Sequence, residues 1–238
     1  MSDVRKVQVG EVQLAYRVWG EEDAPPAVLL HCLGEDGEDW RGVVGRLAGT
    51  HRVFALDQRG HGHSDWPGEY GFARWRDDAV GFVQALGLER VILIGHSLGA
   101  MAALLVAADR PELVDRLVLE EAVPPLPADP PQEVPAQPEG PEPFDWQAKI
   151  AVAAERNAPD PGWWEAVARV TAPTLVIAGG ETGQVPRGHL AELVERLPDA
   201  RLVTVEGAGH LVHEERPGEF LAAVNSFLAP QSQGGAGA

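Results

Sequence analysis

Six short apolar runs, separated by stretches with helical periodicity, constrain the fold of this chain more than any other feature. Each run is nearly continuous in apolar residues and has Gly, Asp, Glu, Ser or His at or next to its end. The runs lie at 27–34, 52–60, 90–97, 115–122, 173–180 and 200–210. Such runs are typical of strands covered on both faces, so their alternation with helices predicts βαβ units and a parallel sheet.

An N-terminal hairpin precedes this pattern. Apolar residues alternate over 4–18, with an interruption at Gly10 and Glu11, which indicates two antiparallel strands at one edge of the sheet. Helices are expected around 39–48, 72–86, 98–108, 188–196 and 217–228. The chain is therefore expected to form an α/β fold, with a mostly parallel sheet of about eight strands flanked by helices. In such sheets ligands bind beyond the carboxyl ends of the strands, where the polar residues collect here.

The chain of 238 residues fits a single domain, which we place at 1–230. Residues 124–143 are rich in Pro and acidic residues and predict a loop, followed by two short helices. This insertion, about 123–168 and after the sixth strand, is expected either to form a lid over the carboxyl edge or to be a surface excursion packed on the sheet. The small, polar tail at 231–238 is expected to be disordered.

The composition of the chain limits the classes of molecule that it is expected to bind. The formal net charge of −17 opposes binding to nucleic acid and to anionic membranes. Cys32 is the only cysteine, so neither an intramolecular disulfide nor a thiolate cluster can form. The first residues are too polar for a secretory signal, and no apolar run has membrane-spanning length. We expect a cytoplasmic monomer or homodimer that acts on a small molecule.

The strongest local motif lies at the end of the third apolar run. Gly95, Ser97 and Gly99 match the pattern G-x-S-x-G between an apolar strand and an Ala-rich helix. A serine on this turn is held in a strained conformation that exposes its hydroxyl, and the following helix directs its N-terminus at the site. Ser97 is therefore the predicted nucleophile.

This motif and three other segments together resemble the α/β-hydrolase superfamily, in particular its serine esterase/lipase-like branch. The three segments are HCLGEDGEDW, LDQRGHGHSD and GAGHLVHEERPGEF, and the resemblance extends over nearly the whole chain. The resemblance implies a hydrolase of ester, lactone or thioester bonds that uses an acyl-enzyme and no metal or organic cofactor. It also places the catalytic base at His210, because a serine hydroxyl needs a histidine to accept its proton. His213 is close in sequence, but a packed or solvated role is expected for it, and His96 is expected to pack beneath the turn.

Acyl transfer passes through an oxyanion, which needs preorganised N–H donors. The expected donors are the backbone amides of Leu98, directly after the nucleophile, and of Leu33. The family pattern His-Gly-x supplies the second donor, and Leu33 stands at its last position. Cys32 replaces the glycine of that pattern, and as a free cysteine it is expected to be a small buried hydrophobe.

The acid that orients the histidine departs from the usual family pattern. Alignment places Thr182 at the position of the usual aspartate, and threonine cannot stabilise an imidazolium. Some family members carry the acid after the preceding strand, which here ends in two consecutive glutamates. Strand alternation turns these two side chains to opposite faces, so only one can face His210. The candidates, in order of preference, are Glu121, Glu181 and Glu120.

Other interpretations remain open. HGHSDW at 61–66 is similar to the metal-binding pattern His-x-His-x-Asp-His, with Trp66 in place of the last histidine. A non-catalytic small-molecule receptor of the same fold is a second alternative, and cofactor-free perhydrolysis or C–C bond hydrolysis is a third. The aromatic insertion favours an apolar substrate, with Trp146 and Trp163 as candidate contacts.

Overall fold

An eight-stranded sheet crosses the molecule in the computed structural model, which describes residues 3–125, 130–134 and 136–229. The strands are β1 (Arg5–Val9), β2 (Val12–Trp19), β3 (Pro26–Leu30), β4 (Arg52–Leu56), β5 (Val91–His96), β6 (Val114–Glu120), β7 (Thr174–Gly179) and β8 (Ala200–Val205). Their spatial order is β1-β2-β4-β3-β5-β6-β7-β8. Pairing is antiparallel for β1 with β2 and for β2 with β4, and parallel for the remaining pairs. The predicted fold class is confirmed.

Helices cover both faces of this sheet. They are α1 (Arg41–Leu47), α2 (Phe72–Ala85), α3 (Leu98–Asp109), α4 (Trp146–Asn157), α5 (Trp163–Arg169), α6 (Arg187–Arg196), α7 (Val212–Glu215) and α8 (Pro217–Leu228). Short 3₁₀ turns cover Gly37–Trp40 and Pro111–Leu113. Each stretch with helical periodicity in the sequence contains one of these helices.

The strands alternate their side chains between two apolar clusters. In β5, Leu93 packs with the cluster under α2 and α3, whereas Ile92 and Ile94 pack with the cluster under α1 and α8. All six residues of β5 are buried, because the strand is central and covered on both faces. This double coverage explains why the run is continuously apolar rather than alternating.

The insertion between β6 and β7 carries α4 and α5. Trp163 of α5 is buried and meets Phe72 edge-on, at 5.5 Å between ring centroids. Trp146 at the start of α4 is also buried and stacks on Phe144, at 5.8 Å. Parts of the predicted insertion, at 126–129 and 135, and the predicted tail at 231–238 lie outside the described residues. Across the described residues, no helix combines the length and apolar character needed to span a membrane.

Candidate active site

Ser97 occupies the turn between β5 and α3, at the carboxyl edge of the sheet. Its backbone has φ +49° and ψ −110°, a region that non-glycine residues rarely adopt, and its amide donates to the carbonyl oxygen of Glu120 at 2.9 Å. Such strain persists only where the surroundings hold it, and it is common at functional sites. The N-terminus of the twelve-residue helix α3 begins at the next residue.

The two glycines that flank Ser97 are required by close backbone approach. A Cβ at Gly95 would overlap the carbonyl oxygen of Gly99, and a Cβ at Gly99 would overlap the carbonyl oxygen of Leu30. Any side chain at either position would therefore push α3 away from the sheet or distort the turn. The G-x-S-x-G pattern thus has a local steric cause.

His210 and Glu121 lie next to each other at the same edge. The His210 Nδ1 atom is 3.4 Å from Glu121 Oε2, and the carboxylate also accepts hydrogen bonds from the amides of Gly179 (2.7 Å), Gln184 (2.9 Å) and Val185 (3.3 Å). Burial by itself would raise the pKa of Glu121, but the hydrogen bonds from His210 and the three amides lower it below its ordinary value. The carboxylate is therefore held ionised in a buried position, where it fixes one nitrogen of His210.

Thr182, at the position where the usual family pattern would put the acid, and the adjacent Glu181 are exposed. The Thr182 hydroxyl donates to the carbonyl of Ala208 at 3.2 Å. Within the described part of the chain, Glu181 makes no hydrogen bond or ion pair with His210. Of the three candidate acids, the structure brings Glu121 to this histidine.

Glu120 points to the opposite side of β6 and contacts His213. Both Glu120 carboxylate oxygens lie 2.8–2.9 Å from His213 Nδ1, and His213 Nε2 lies 3.1 Å from Asp39 Oδ1. Burial alone would lower the pKa of His213, but the two carboxylates raise it to about 10. His213 is therefore a buried cation at neutral pH, stacked on Trp40 at 4.2 Å between centroids.

His96 separates the two histidines. Its ring is buried, with its centroid 4.6 Å from that of His210 and 5.2 Å from that of His213. Burial lowers the pKa of His96 to about 3, so the ring is neutral. The sequence indicated packing beneath the turn, but it did not indicate that His96 would support the His210 ring.

The loop after β3 presents the Leu33 amide. Because Gln58 N–H donates to His31 Nε2 at 2.9 Å, the other ring nitrogen, Nδ1, carries the proton and donates to the Cys32 carbonyl at 2.7 Å. A trans peptide directs its carbonyl and its N–H oppositely, so the Leu33 N–H points away from the His31 ring. No acceptor in the described part of the chain takes this N–H. Leu98 is the first residue of α3, so its N–H has no intrahelical acceptor.

Two overlapping groups of side chains have the spacing of metal ligands. They are Cys32, Asp39 and His96, and His96, Glu120 and His213, with candidate ligand atoms within 4.8 Å of one another among the described residues. Burial raises the pKa of the Cys32 thiol, which opposes formation of the thiolate that binds metals. The His213 cation already neutralises charge between Glu120 and Asp39, so an ion pair accounts for the second group.

The segment HGHSDW does not gather its side chains at one point. His61 is buried and stacks on Phe144 at 5.5 Å, whereas His63 is exposed, with Nδ1 3.4 Å from Asp57. Neither histidine, nor Asp65, belongs to a group with metal-ligand spacing in the residues that the structure describes.

A cleft of about 230 Å³ opens beside the nucleophile. Its apolar wall is formed by Phe72, Met101, Ala122, Val123, Pro124, Pro125, Val185 and Pro186. Its polar lining is formed by Ser97, Glu121, Gln132, Arg156, Gln184, His189 and His210. The candidate substrate contacts Trp146 and Trp163 are not part of the lining. Trp163 packs against Phe72, and Phe72 does line the cleft. The cleft can therefore hold a small molecule in reach of Ser97 and His210.

Comparison with known proteins agrees with the fold of this chain. Residues 27–224 match the model of the Alpha/beta hydrolase family. A putative esterase/lipase from Haemophilus influenzae is 28% identical, with 87% of this chain and 84% of that protein covered. A putative carbamate hydrolase from Pseudomonas savastanoi pv. phaseolicola is 30% identical, with 88% and 96% covered. The crystal structure of E-2-(acetamidomethylene)succinate hydrolase is 26% identical, has a TM-score of 0.83 and covers 97% of this chain and 100% of that chain. The chain belongs to the alpha/beta hydrolase family.

Proposed function

We propose that this protein is a serine hydrolase that cleaves an ester-like bond of a small molecule through an acyl-enzyme on Ser97. The observation that carries the proposal is the joint placement of Ser97 and His210 on one cleft, with the buried Glu121 carboxylate behind the histidine. A serine in a strained turn, a histidine and an ionised acid are the three parts that acyl transfer to water requires.

In the proposed reaction, Ser97 Oγ attacks the substrate carbonyl while His210 Nε2 accepts the hydroxyl proton. Glu121 holds Nδ1 of the ring, and its charge stabilises the imidazolium that forms. The Leu98 and Leu33 amides donate to the oxyanion, and α3 adds the positive end of its dipole. His210 then gives the proton to the leaving group.

Water completes the cycle. His210, neutral again after the leaving group departs, takes a proton from a water molecule as its oxygen attacks the acyl carbonyl. The second oxyanion uses the same two amides, and its collapse returns the proton from His210 to Ser97 Oγ. No metal or organic cofactor takes part in these steps.

The relatives support acyl transfer as the reaction class. One is named as an esterase/lipase and another as a carbamate hydrolase, and both reactions involve attack on a carbonyl carbon. The apolar wall of the cleft supports a substrate with an apolar part. We place that part against Phe72 and Met101, with Trp163 acting only through its packing on Phe72.

The test is intact-mass analysis after incubation with a neutral alkyl fluorophosphonate, followed by turnover of short-chain p-nitrophenyl esters. Wild type is expected to gain a single adduct and to release p-nitrophenol. Ser97→Ala is expected to lose the adduct and about 10⁴- to 10⁶-fold of the turnover, with an unchanged melting temperature.

The matched control is Ser226→Ala, an exposed serine on α8, which should behave as wild type. Absence of an adduct on folded wild-type protein would contradict the proposal and would favour the small-molecule receptor. Full turnover by Ser97→Ala would also contradict it.

A further inference from the structure

Arg156 is a cation on the wall of the active-site cleft. It lies in the last turn of α4 and lines the same cleft as Ser97 and His210. Among the described residues, it makes no ion pair or hydrogen bond through its guanidinium. Arg169, on the next helix, contacts Asp109 at 2.8 Å, and Arg187 contacts Glu206 at 3.0 Å, so these two arginines are paired.

Acidic residues that could pair with Arg156 are abundant in this chain. The chain has 36 acidic residues and 19 basic ones. A guanidinium has five N–H donors in a planar fork that matches a carboxylate. Arg156 is exposed at the cleft, so water meets these donors until a ligand replaces it. Partial removal from water lowers the pKa of Arg156, but an arginine remains charged at neutral pH. The cleft therefore presents a positive charge whose donors have no partner among the residues that the structure describes.

The backbone that carries Arg156 is anchored on both sides. Glu155, the residue before it, accepts a hydrogen bond from the amide of Phe72 at 3.0 Å. Asn157, the residue after it, makes two hydrogen bonds with the backbone of Gln132, at 2.7 and 3.0 Å. These contacts tie the backbone at the end of α4 to two other segments of the cleft wall, so Arg156 is kept at the edge of the cleft before any ligand binds.

We propose that Arg156 binds a carboxylate of the substrate, so that the Ser97 site acts on ester-like compounds that combine an apolar body with a free carboxylate. This inference rests on the proposed function of Ser97. The apolar wall around Phe72 and Met101 takes the body, and Arg156 takes the charged end. The net charge of −17 repels anions at long range, so a local cation is needed to favour such a substrate in the cleft.

The experiment uses two alkyl fluorophosphonates of the same chain length, one ending in a carboxylate and one in its methyl ester. The second-order rate constant for labelling of Ser97 is measured for each by intact mass. The readout is the carboxylate-to-ester ratio of these rate constants, which cancels any general loss of serine reactivity. Arg156→Gln is expected to lower this ratio about 10- to 100-fold, as expected for loss of a charged hydrogen-bond donor.

Two further variants sharpen the result. Arg46→Gln removes the same charge from an exposed position on α1, and its ratio should stay within about 2-fold of wild type. Arg156→Lys keeps the charge but loses the planar fork, so its ratio should lie between those of wild type and Arg156→Gln.

An unchanged ratio in Arg156→Gln would overturn the inference. Should that variant not fold, wild type alone decides: faster labelling by the methyl ester than by the carboxylate would overturn it as well. These outcomes differ from failure of the proposed function, in which the neutral probe would not label Ser97 at all.

Discussion

The end of β6 carries two consecutive glutamates, each of which contacts a histidine from the same short segment of chain, yet the two pairs differ in distance and in the exposure of the histidine. Glu121 meets His210 at 3.4 Å, and this histidine is 18% exposed on the cleft beside Ser97. Glu120 meets His213 at 2.8 Å, and both side chains are essentially without solvent contact. Only the first pair has access to a substrate.

The difference shows that a histidine next to a carboxylate is not by itself a catalytic dyad. A general base must gain and lose a proton within each cycle, and His213 is held protonated by Glu120 on one side and Asp39 on the other. Its role is structural. Glu120 also accepts a hydrogen bond from the His213 amide at 2.9 Å, so this ion pair fixes the turn that carries His210, three residues earlier.

The largest effect that separates the two pairs should come from Glu121→Gln. The amide cannot stabilise the imidazolium, and it favours the wrong tautomer of His210, so kcat/KM for a p-nitrophenyl ester should fall by about 10³- to 10⁴-fold. Steady-state kinetics measures this loss, and circular dichroism checks the fold. Glu181→Gln is the matched control and should keep wild-type activity. The reverse result, with Glu181→Gln inactive and Glu121→Gln active, would move the acid to Glu181.

Glu120→Gln should lower the free energy of unfolding and leave the rate of catalysis nearly unchanged. It leaves the buried His213 with one carboxylate instead of two, and breaking a buried ion pair typically costs about 3–5 kcal/mol. Urea unfolding should show this loss, whereas kcat of the protein that remains folded should fall less than 10-fold. A Glu120→Gln variant as stable as wild type but without activity would make Glu120 the catalytic acid and would remove the distinction between the two pairs.

The sequence predicts what depends on neighbours along the chain. The sheet follows from the alternation of apolar runs and helices, and that prediction is confirmed. The G-x-S-x-G motif is local in part: Gly95 approaches Gly99, four residues later, whereas Gly99 approaches Leu30 on strand β3, which is distant along the chain. The roles assigned to Ser97, His210 and Glu121 stay predictions until the variants are measured.

Features that depend on distant contacts are not legible in the sequence. Strand alternation places Glu120 and Glu121 on opposite faces, but which face holds His210 depends on a contact across 89 positions of the chain. The aromatic residues of the insertion predicted Trp146 and Trp163 as substrate contacts, but Trp163 packs on Phe72 behind the cleft wall. Arg156 gave no sequence signal, because its place on the cleft wall depends on which segments the fold brings together.

The smallest and most specific difference between the pairs should appear in the pH dependence of stability. Folding raises the pKa of His213 from about 6.5 to about 10, so the folded state binds one more proton than the unfolded state between these values. The stabilisation is complete below pH 6.5 and is lost as pH rises towards 10, at about 1.4 kcal/mol per pH unit. Urea unfolding from pH 6.5 to 10 should therefore show a difference between wild type and Glu120→Gln that shrinks with rising pH. The difference between wild type and Glu181→Gln should stay flat. If the stability difference between wild type and Glu120→Gln instead grows with pH, His213 is not a buried cation. The proposed physical difference between the Glu120–His213 pair and the Glu121–His210 pair would then be wrong.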